Sequence, residues 1–290
     1  MGNQNIRYYY NRLNIAERLI VINVAVFILS GLLKILFGLS GDSIIRWFEL
    51  PKDFFHFLTQ PWSIFTYSFF HSGLGHIFWN MLMLYFAGRI FLNLFDNKRF
   101  LNVYFLGVIL GGMIFLLSYN IFPALLGINT SLIGASAGVT AVLIFVCSYL
   151  PNQEVRVIFF NVKLWHIGVF VVLLDLVQIS TGGNVGGRLA HLGGAALGYF
   201  YARQLINGQD IGSGFAKILD AIANLFKRSE KKAPLKTVYR KQTRGGTSKD
   251  NYDKESRQRK IDAILDKISK SGYESLSKAE KDFLFKAGKE

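Results

Sequence analysis

A chain of 290 residues would suit one large domain or two small ones. Only 18% of its residues are charged, however, while 51% are hydrophobic and 15% aromatic, unlike soluble domains with roughly 25% charge. The net charge of +14 is uneven: from Arg203 onward stand 21 Lys+Arg against 12 Asp+Glu, or +9 of the total. The basicity is therefore mainly a property of the tail, which argues against nucleic acid as a partner. A single cysteine, Cys147, excludes an internal disulfide and leaves no thiolate metal cluster.

Crossing a bilayer core takes about 20 mostly apolar helical residues, and six stretches come close: 17–38, 72–94, 100–119, 134–150, 163–180 and 187–205. The runs are continuous rather than alternating, so helices are the only spanning candidates. The expected fold class is all-α, a polytopic membrane protein. The N-terminal segment 1–16 is polar, with Arg7 and Arg12 ahead of Arg18, and no small-residue cleavage site follows, so the first span reads as a signal anchor. Lys and Arg gather in the N-terminal segment, at Lys98 and Arg99, and at Arg156 and Lys163; stretches 120–133 and 181–187 carry no charge. The positive-inside rule then places both termini in the cytoplasm. The loop 39–61, with Trp47, Phe48, Phe54, Phe55 and Phe57, faces outside, as an interfacial segment or a loop with an aromatic belt.

Spans two, four and six enter from the outside, so their N-terminal ends share one depth. Each carries polar groups, which are functional candidates inside a membrane. Span two opens with His71, His76 and Asn80; span four with Gly134-Ala-Ser136-Ala-Gly138; span six with Gly186-Gly187-Arg-Leu-Ala190-His191-Leu-Gly-Gly194. His76 and Asn80, four apart, share a helical face. This set has the parts of nucleophilic acyl transfer. Ser136 is the nucleophile candidate and His191 the base, while His76, Asn80 and the Ser136 N–H are the oxyanion donors. Each motif alone has a plainer reading. Gly134, Gly138, Gly194 and Gly198 are small residues of the kind that let helices pack closely, and His71 and His76 would also fit as interface histidines.

Taken together, residues 15 to 205 resemble the rhomboid family of intramembrane serine proteases. His76-x-x-x-Asn80, Gly134-Ala-Ser136-Ala-Gly138 and Ala190-His191-Leu-Gly-Gly194-Ala-Ala-Leu-Gly198 stand on the second, fourth and sixth helices, as in that family. The resemblance, to the bacterial type, implies a Ser136–His191 dyad without an acid and an oxyanion site of His76, Asn80 and the Ser136 N–H. It implies single-pass membrane substrates cut near the outer end of their span, no cofactor or metal, and residence in a bacterial inner (plasma) membrane. The fifth helix and the cap loop after it, near 163–187, resemble the substrate gate. Two positions depart from the pattern: Ser63 follows Trp62 where many members carry arginine, and Thr140 replaces an aromatic residue four positions after the serine. Asp175, in span five, reads as a packing or gating residue rather than a third catalytic member. A catalytically inactive rhomboid-like protein that binds membrane clients is the main alternative. A small transporter lacks the expected repeated halves, and a zinc protease lacks His-Glu-x-x-His.

The tail divides into an interfacial amphipathic helix at 206–226, a disordered charged linker at 227–258, and a helical hairpin at 259–290. Ile211, Phe215, Ile218, Leu219, Ile222 and Phe226 recur at helical spacing, as an amphipathic helix on an anionic leaflet requires. In the hairpin, Ile261, Ile264, Leu265 and Ile268 share a face, and Ser277-x-x-Glu280 is a capping box. The hairpin reads as a regulatory unit or a docking unit for a cytoplasmic partner.

Overall fold

The computed structural model describes residues 8–38, 43–157, 159–226 and 249–287. The chain forms two compact units, Met1–Arg228 and Ser229–Glu290. In the first, each expected span falls on one helix: α1 (Ile15–Leu36), α2 (Leu74–Leu92), α3 (Asn97–Ile121), α4 (Ser136–Tyr149), α5 (Leu164–Ser180) and α6 (Val185–Ile206). Of these, α1 and α3 are by themselves long and apolar enough to cross a membrane, and α4 and α5 are apolar but shorter. Helix α7 (Ser213–Phe226) follows.

Local chemistry sets the helix starts. Asn14 and Glu17 close a capping box on α1, Asp96 accepts from the Arg99 N–H at 2.7 Å, and Asn184 accepts from the Gly187 N–H at 3.2 Å. Each satisfies an amide that the first helical turn leaves without a partner.

Helix α4 is the centre of the unit, buried continuously from Ala137 to Cys147. Small residues bring α3 and α6 onto it. A Cβ on Gly194 would collide with the Ala137 carbonyl, one on Gly198 with the Ala141 carbonyl, and one on Gly107 with the Ala141 side chain. Gly111 lies against α4 and α6 together, where a Cβ would come within 2.7 Å of both Ala137 Cβ and the Ala190 carbonyl. Without a hydrophobic drive between helices in lipid, such close backbone approach is how spans associate. By contrast, α1 and α5 present large apolar side chains outward, among them Ile35 (81% exposed) and Phe170 (64%). Faces of that kind need an apolar surrounding.

Two short strand pairs stand in the loops of this helical fold. Leu50–Pro51 (β1) pairs antiparallel with Ser131–Leu132 (β2), stitching the aromatic loop to the uncharged stretch before α4. Glu154–Val157 (β3) pairs with Phe160–Lys163 (β4), so a hairpin stands where a plain charged connection was expected. Its Val155, Val157 and Val162 are β-branched residues that favour strands. The loop 39–61 also holds a short helix, Phe54–Thr59, capped by Asp53.

Within the second unit, α8 (Lys249–Ser271) and α9 (Lys278–Ala287) flank a 3₁₀ turn at Tyr273–Ser275. Residues 227–248 of the expected linker lie outside the described residues, as do residues 1–7 and the side chains of Leu219, Ile222 and Phe226. Residues 249–258 are helical, not disordered, because their Lys, Glu, Arg and Gln are good helix formers that extend the run beginning at Ile261. Ile264 and Leu276 are buried, whereas Leu265 is 50% exposed, so the apolar face is narrower than its spacing suggested. Ser277 and Glu280 form the capping box in both directions. The Ser277 N–H, with Lys267, holds the Glu280 carboxyl down to about 2.

Candidate active site

Ser136 is the first residue of α4, where helix amides point outward without intrahelical partners and the helix dipole is positive. The turn before it is fixed from three sides. Gly134 adopts φ 120°, a region that disfavours a side chain, and its N–H donates to the Tyr67 carbonyl at 2.9 Å. A Cβ on Gly134 would sit 2.7 Å from His76 Nε2 and 3.7 Å from Ser136 Oγ. The imidazole of His76 therefore packs on the bare glycine, at the edge of the serine.

On His76, the Ser72 N–H donates to Nδ1 at 3.4 Å and the Ser72 hydroxyl lies 3.1 Å from the same atom. With Nδ1 accepting, the neutral ring carries its proton on Nε2, the nitrogen beside Gly134 and Ser136. Asn80 is buried, and its amide donates to the His76 carbonyl at 2.8 Å; the second amide proton is not used by that bond. His71, noted in the sequence but given no role there, is buried, stacks edge-on to His76 with ring centres 5.0 Å apart, and accepts from the Ala135 N–H at 3.5 Å. It steadies the residue directly before the serine. The signal for that role was only its proximity to His76.

His191 lies on α6, one turn before Gly194, the glycine seated on Ala137. Since Ala137 directly follows Ser136, His191 and Ser136 stand at the same level of the α4–α6 contact. Gly134, Gly138, Gly194 and Gly198 all face close neighbours; at Gly138 a Cβ would meet Val108 and Tyr104 of α3. The sequence reading missed Gly107 and Gly111 of α3, whose four-residue spacing was the available signal.

Asp175 differs most from its sequence reading. It is a carboxylate with 4% side-chain exposure on α5. Its Oδ1 and Oδ2 lie 3.1 and 3.2 Å from His191 Nδ1, and Arg188 Nη1 donates to Oδ1 at 2.8 Å. Ser63, for its part, is fully buried and forms no anchor. The aromatic loop is instead tied by Gln60 to the Glu49 carbonyl, Trp62 to the Trp47 carbonyl and Thr66 to the Phe48 carbonyl. Among the described residues, no group of three or more His, Cys, Asp or Glu is arranged to hold a metal ion.

Known proteins match both units. A model described as the Rhomboid domain matches residues 58–208, just over half of the chain, and a Family of unknown function (DUF6576) matches residues 248–287, the span of α8 and α9. RHOMBOID-like protein 12, mitochondrial, of Arabidopsis thaliana is 31% identical over 148 residues, 47% of this chain and 44% of that protein. The Presenilin-associated rhomboid-like protein A, mitochondrial, of Danio rerio is 28% identical over 137 residues, 46% of this chain and 35% of its own. The human Presenilin-associated rhomboid-like protein, mitochondrial, is 25% identical over 205 residues, 68% of this chain and 51% of its own. The chain thus spans about half the length of these relatives, or less. The matched region holds the helices that carry Ser136, His191, His76 and Asn80: the chain belongs to the rhomboid family, an integral membrane family. All three relatives bear mitochondrial names, which give no support to the bacterial inner membrane expected from the sequence.

Proposed function

We propose that this protein is an intramembrane serine endopeptidase that cuts single-pass membrane proteins near one end of their span, with Ser136 as nucleophile and His191 as base. One observation supports this above the others. The serine opens a buried helix beside the His76 ring, on a turn made by Gly134, and α6 seats Gly194 on the adjoining Ala137. Small-residue packing explains the glycines, but not a hydroxyl at a helix N-terminus beside the His76 imidazole.

In this reading His191 Nε2 takes the Ser136 proton as Oγ bonds to the scissile carbonyl carbon. The oxyanion that forms is met by the Ser136 N–H, His76 Nε2–H and Asn80. His191 returns the proton to the leaving amine, and a water then releases the acyl group by the same route. Helix α4 has 14 residues, roughly 21 Å at 1.5 Å each, shorter than the hydrocarbon thickness of about 30 Å. The serine therefore sits below one surface, where the non-helical stretch before it must line a watery cavity. The Lys and Arg distribution supports a cytoplasmic reading of both termini, and the α8–α9 hairpin is then a docking unit for a cytoplasmic partner.

The test is cleavage of a fluorescent single-pass substrate in liposomes. Ser136→Ala and His191→Ala should each abolish it while the protein remains folded, and chelators should leave it unchanged. Full activity in either variant would remove the dyad. Absence of cleavage by the native chain, with clients still retained, would favour the inactive client-binding protein.

A further inference from the structure

Helix α5 buries three residues: Leu164, Gly168 and Asp175. The first two are apolar or small, and pack as a membrane helix packs. A carboxylate placed between spans is costly unless it is paired and hydrogen-bonded, and packing alone is served better by an apolar side chain. Asp175 has two partners on α6, Arg188 at 2.8 Å and His191 Nδ1 at 3.1 Å, one turn apart on the same helical face.

We propose that Asp175 is the positioning residue of His191. A carboxylate is an acceptor only, so His191 Nδ1 donates to it, and the neutral ring then carries its lone pair on Nε2. That is the tautomer a base toward Ser136 requires. The two near-equal distances to Oδ1 and Oδ2 also fix the plane of the ring. Arg188 holds the carboxylate by its Oδ1 and supplies its countercharge. Thr140, one turn after Ser136 on α4, has no ring to stack on the imidazole, so the orientation falls to α5. When the imidazolium forms during proton transfer, Asp175 faces it with opposite charge. The carboxylate takes no proton and touches no reacting atom.

This inference rests on the Ser136–His191 reading above. The competing account is a latch, in which Asp175 pairs with Arg188 only to join α5 to α6. Two measurements on the full chain in liposomes or detergent separate them. The first compares Asp175→Asn, which keeps the shape, with the native protein on the fluorescent single-pass substrate. Positioning predicts a fall in kcat of about 10²-fold, the low end of what a general base contributes, with KM within about twofold and the melting temperature kept. A native kcat in folded Asp175→Asn overturns the proposal. So does a loss confined to KM. If that variant does not fold, the second measurement decides. Nitrogen-15 correlation spectra of selectively labelled histidine, taken above the ordinary imidazole titration range, should show His191 protonated on Nδ1. Protonation on Nε2 would overturn the assignment. Activity remaining in Ser136→Ala would instead bring down the dyad itself, whereas a dead Ser136→Ala beside a fully active Asp175→Asn would bring down this inference alone.

Discussion

Helices α4 and α5 are similar in length and apolar composition, yet they are packed very differently. Every residue of α4 from Ala137 to Cys147 is buried, whereas α5 buries only Leu164, Gly168 and Asp175. The difference lies in their neighbours. Helix α4 is clasped by glycines of α3 and α6, and α5 by a single glycine, Gly168, against Cys147. Ser136 thus sits on a closely constrained helix, and the carboxylate that meets His191 sits on a loosely packed one. One half of the site is set by close packing of backbones. The other half depends on two polar contacts across an otherwise loose interface.

The comparison is broken most severely at Gly194. A Cβ there would collide with the Ala137 carbonyl, which is backbone and cannot turn aside. Gly194→Val should leave almost no monodisperse folded protein on size-exclusion chromatography. On α5 the corresponding Gly168→Ala brings a Cβ 2.9 Å from Cys147 Cβ, and a loosely packed helix can shift outward to absorb it. That variant should fold. Normal yields of Gly194→Val would show that the α4–α6 contact is not as close as described.

Side-chain truncations sharpen the same contrast. Val142 of α4 is 0% exposed and Leu173 of α5 is 54% exposed. Val142→Ala leaves a cavity and should cost about 2 kcal/mol of unfolding free energy; Leu173→Ala should stay within about 0.5 kcal/mol. Equal costs would mean that α5 is supported by packing as fully as α4.

The smallest expected effect is at the far end of α6. Asp210 accepts hydrogen bonds from Tyr201, Arg99 and the Gly212 N–H, linking the chain after α6 to α3. Burial works against its charge, but those donors, with the Arg99 charge, hold its carboxyl below the usual carboxylate range. A lowered folded value means stability that is present above the ordinary carboxylate pKa of about 3.9 and lost as pH falls below it. Native protein should therefore lose melting temperature below about pH 4 more steeply than Asp210→Asn, by a few degrees. Parallel curves would remove Asp210 from that role.

Much of this contrast could be read from the sequence, and the reasons are specific. Helices α1 to α6 were legible because a run of about 20 apolar residues has few other uses, and their ends shifted by up to three residues because caps such as Asn14 and Asp96 decide them. Ser136, His76 and Asn80 could be grouped from their place at the starts of two helices, and His191 from its place near the start of a third. The contact of Asp175 with His191 could not. The two are 16 residues apart across two helices and a turn, and no local periodicity reports which face of α5 meets α6. The hairpin at 154–163 was hidden for another reason: Glu154, Arg156 and Lys163 lend a strand pair the composition of a charged loop.

The proposed chemistry requires Ser136 to be a nucleophile activated by His191. The most direct measurement is peptide-mapped mass spectrometry after labelling with a serine-directed fluorophosphonate, which needs neither a natural substrate nor a known cleavage site. The native chain should carry one phosphonyl group on Ser136, and His191→Ala should carry none at the same exposure. Labelling at another serine, or equal labelling of Ser136 without His191, would contradict it.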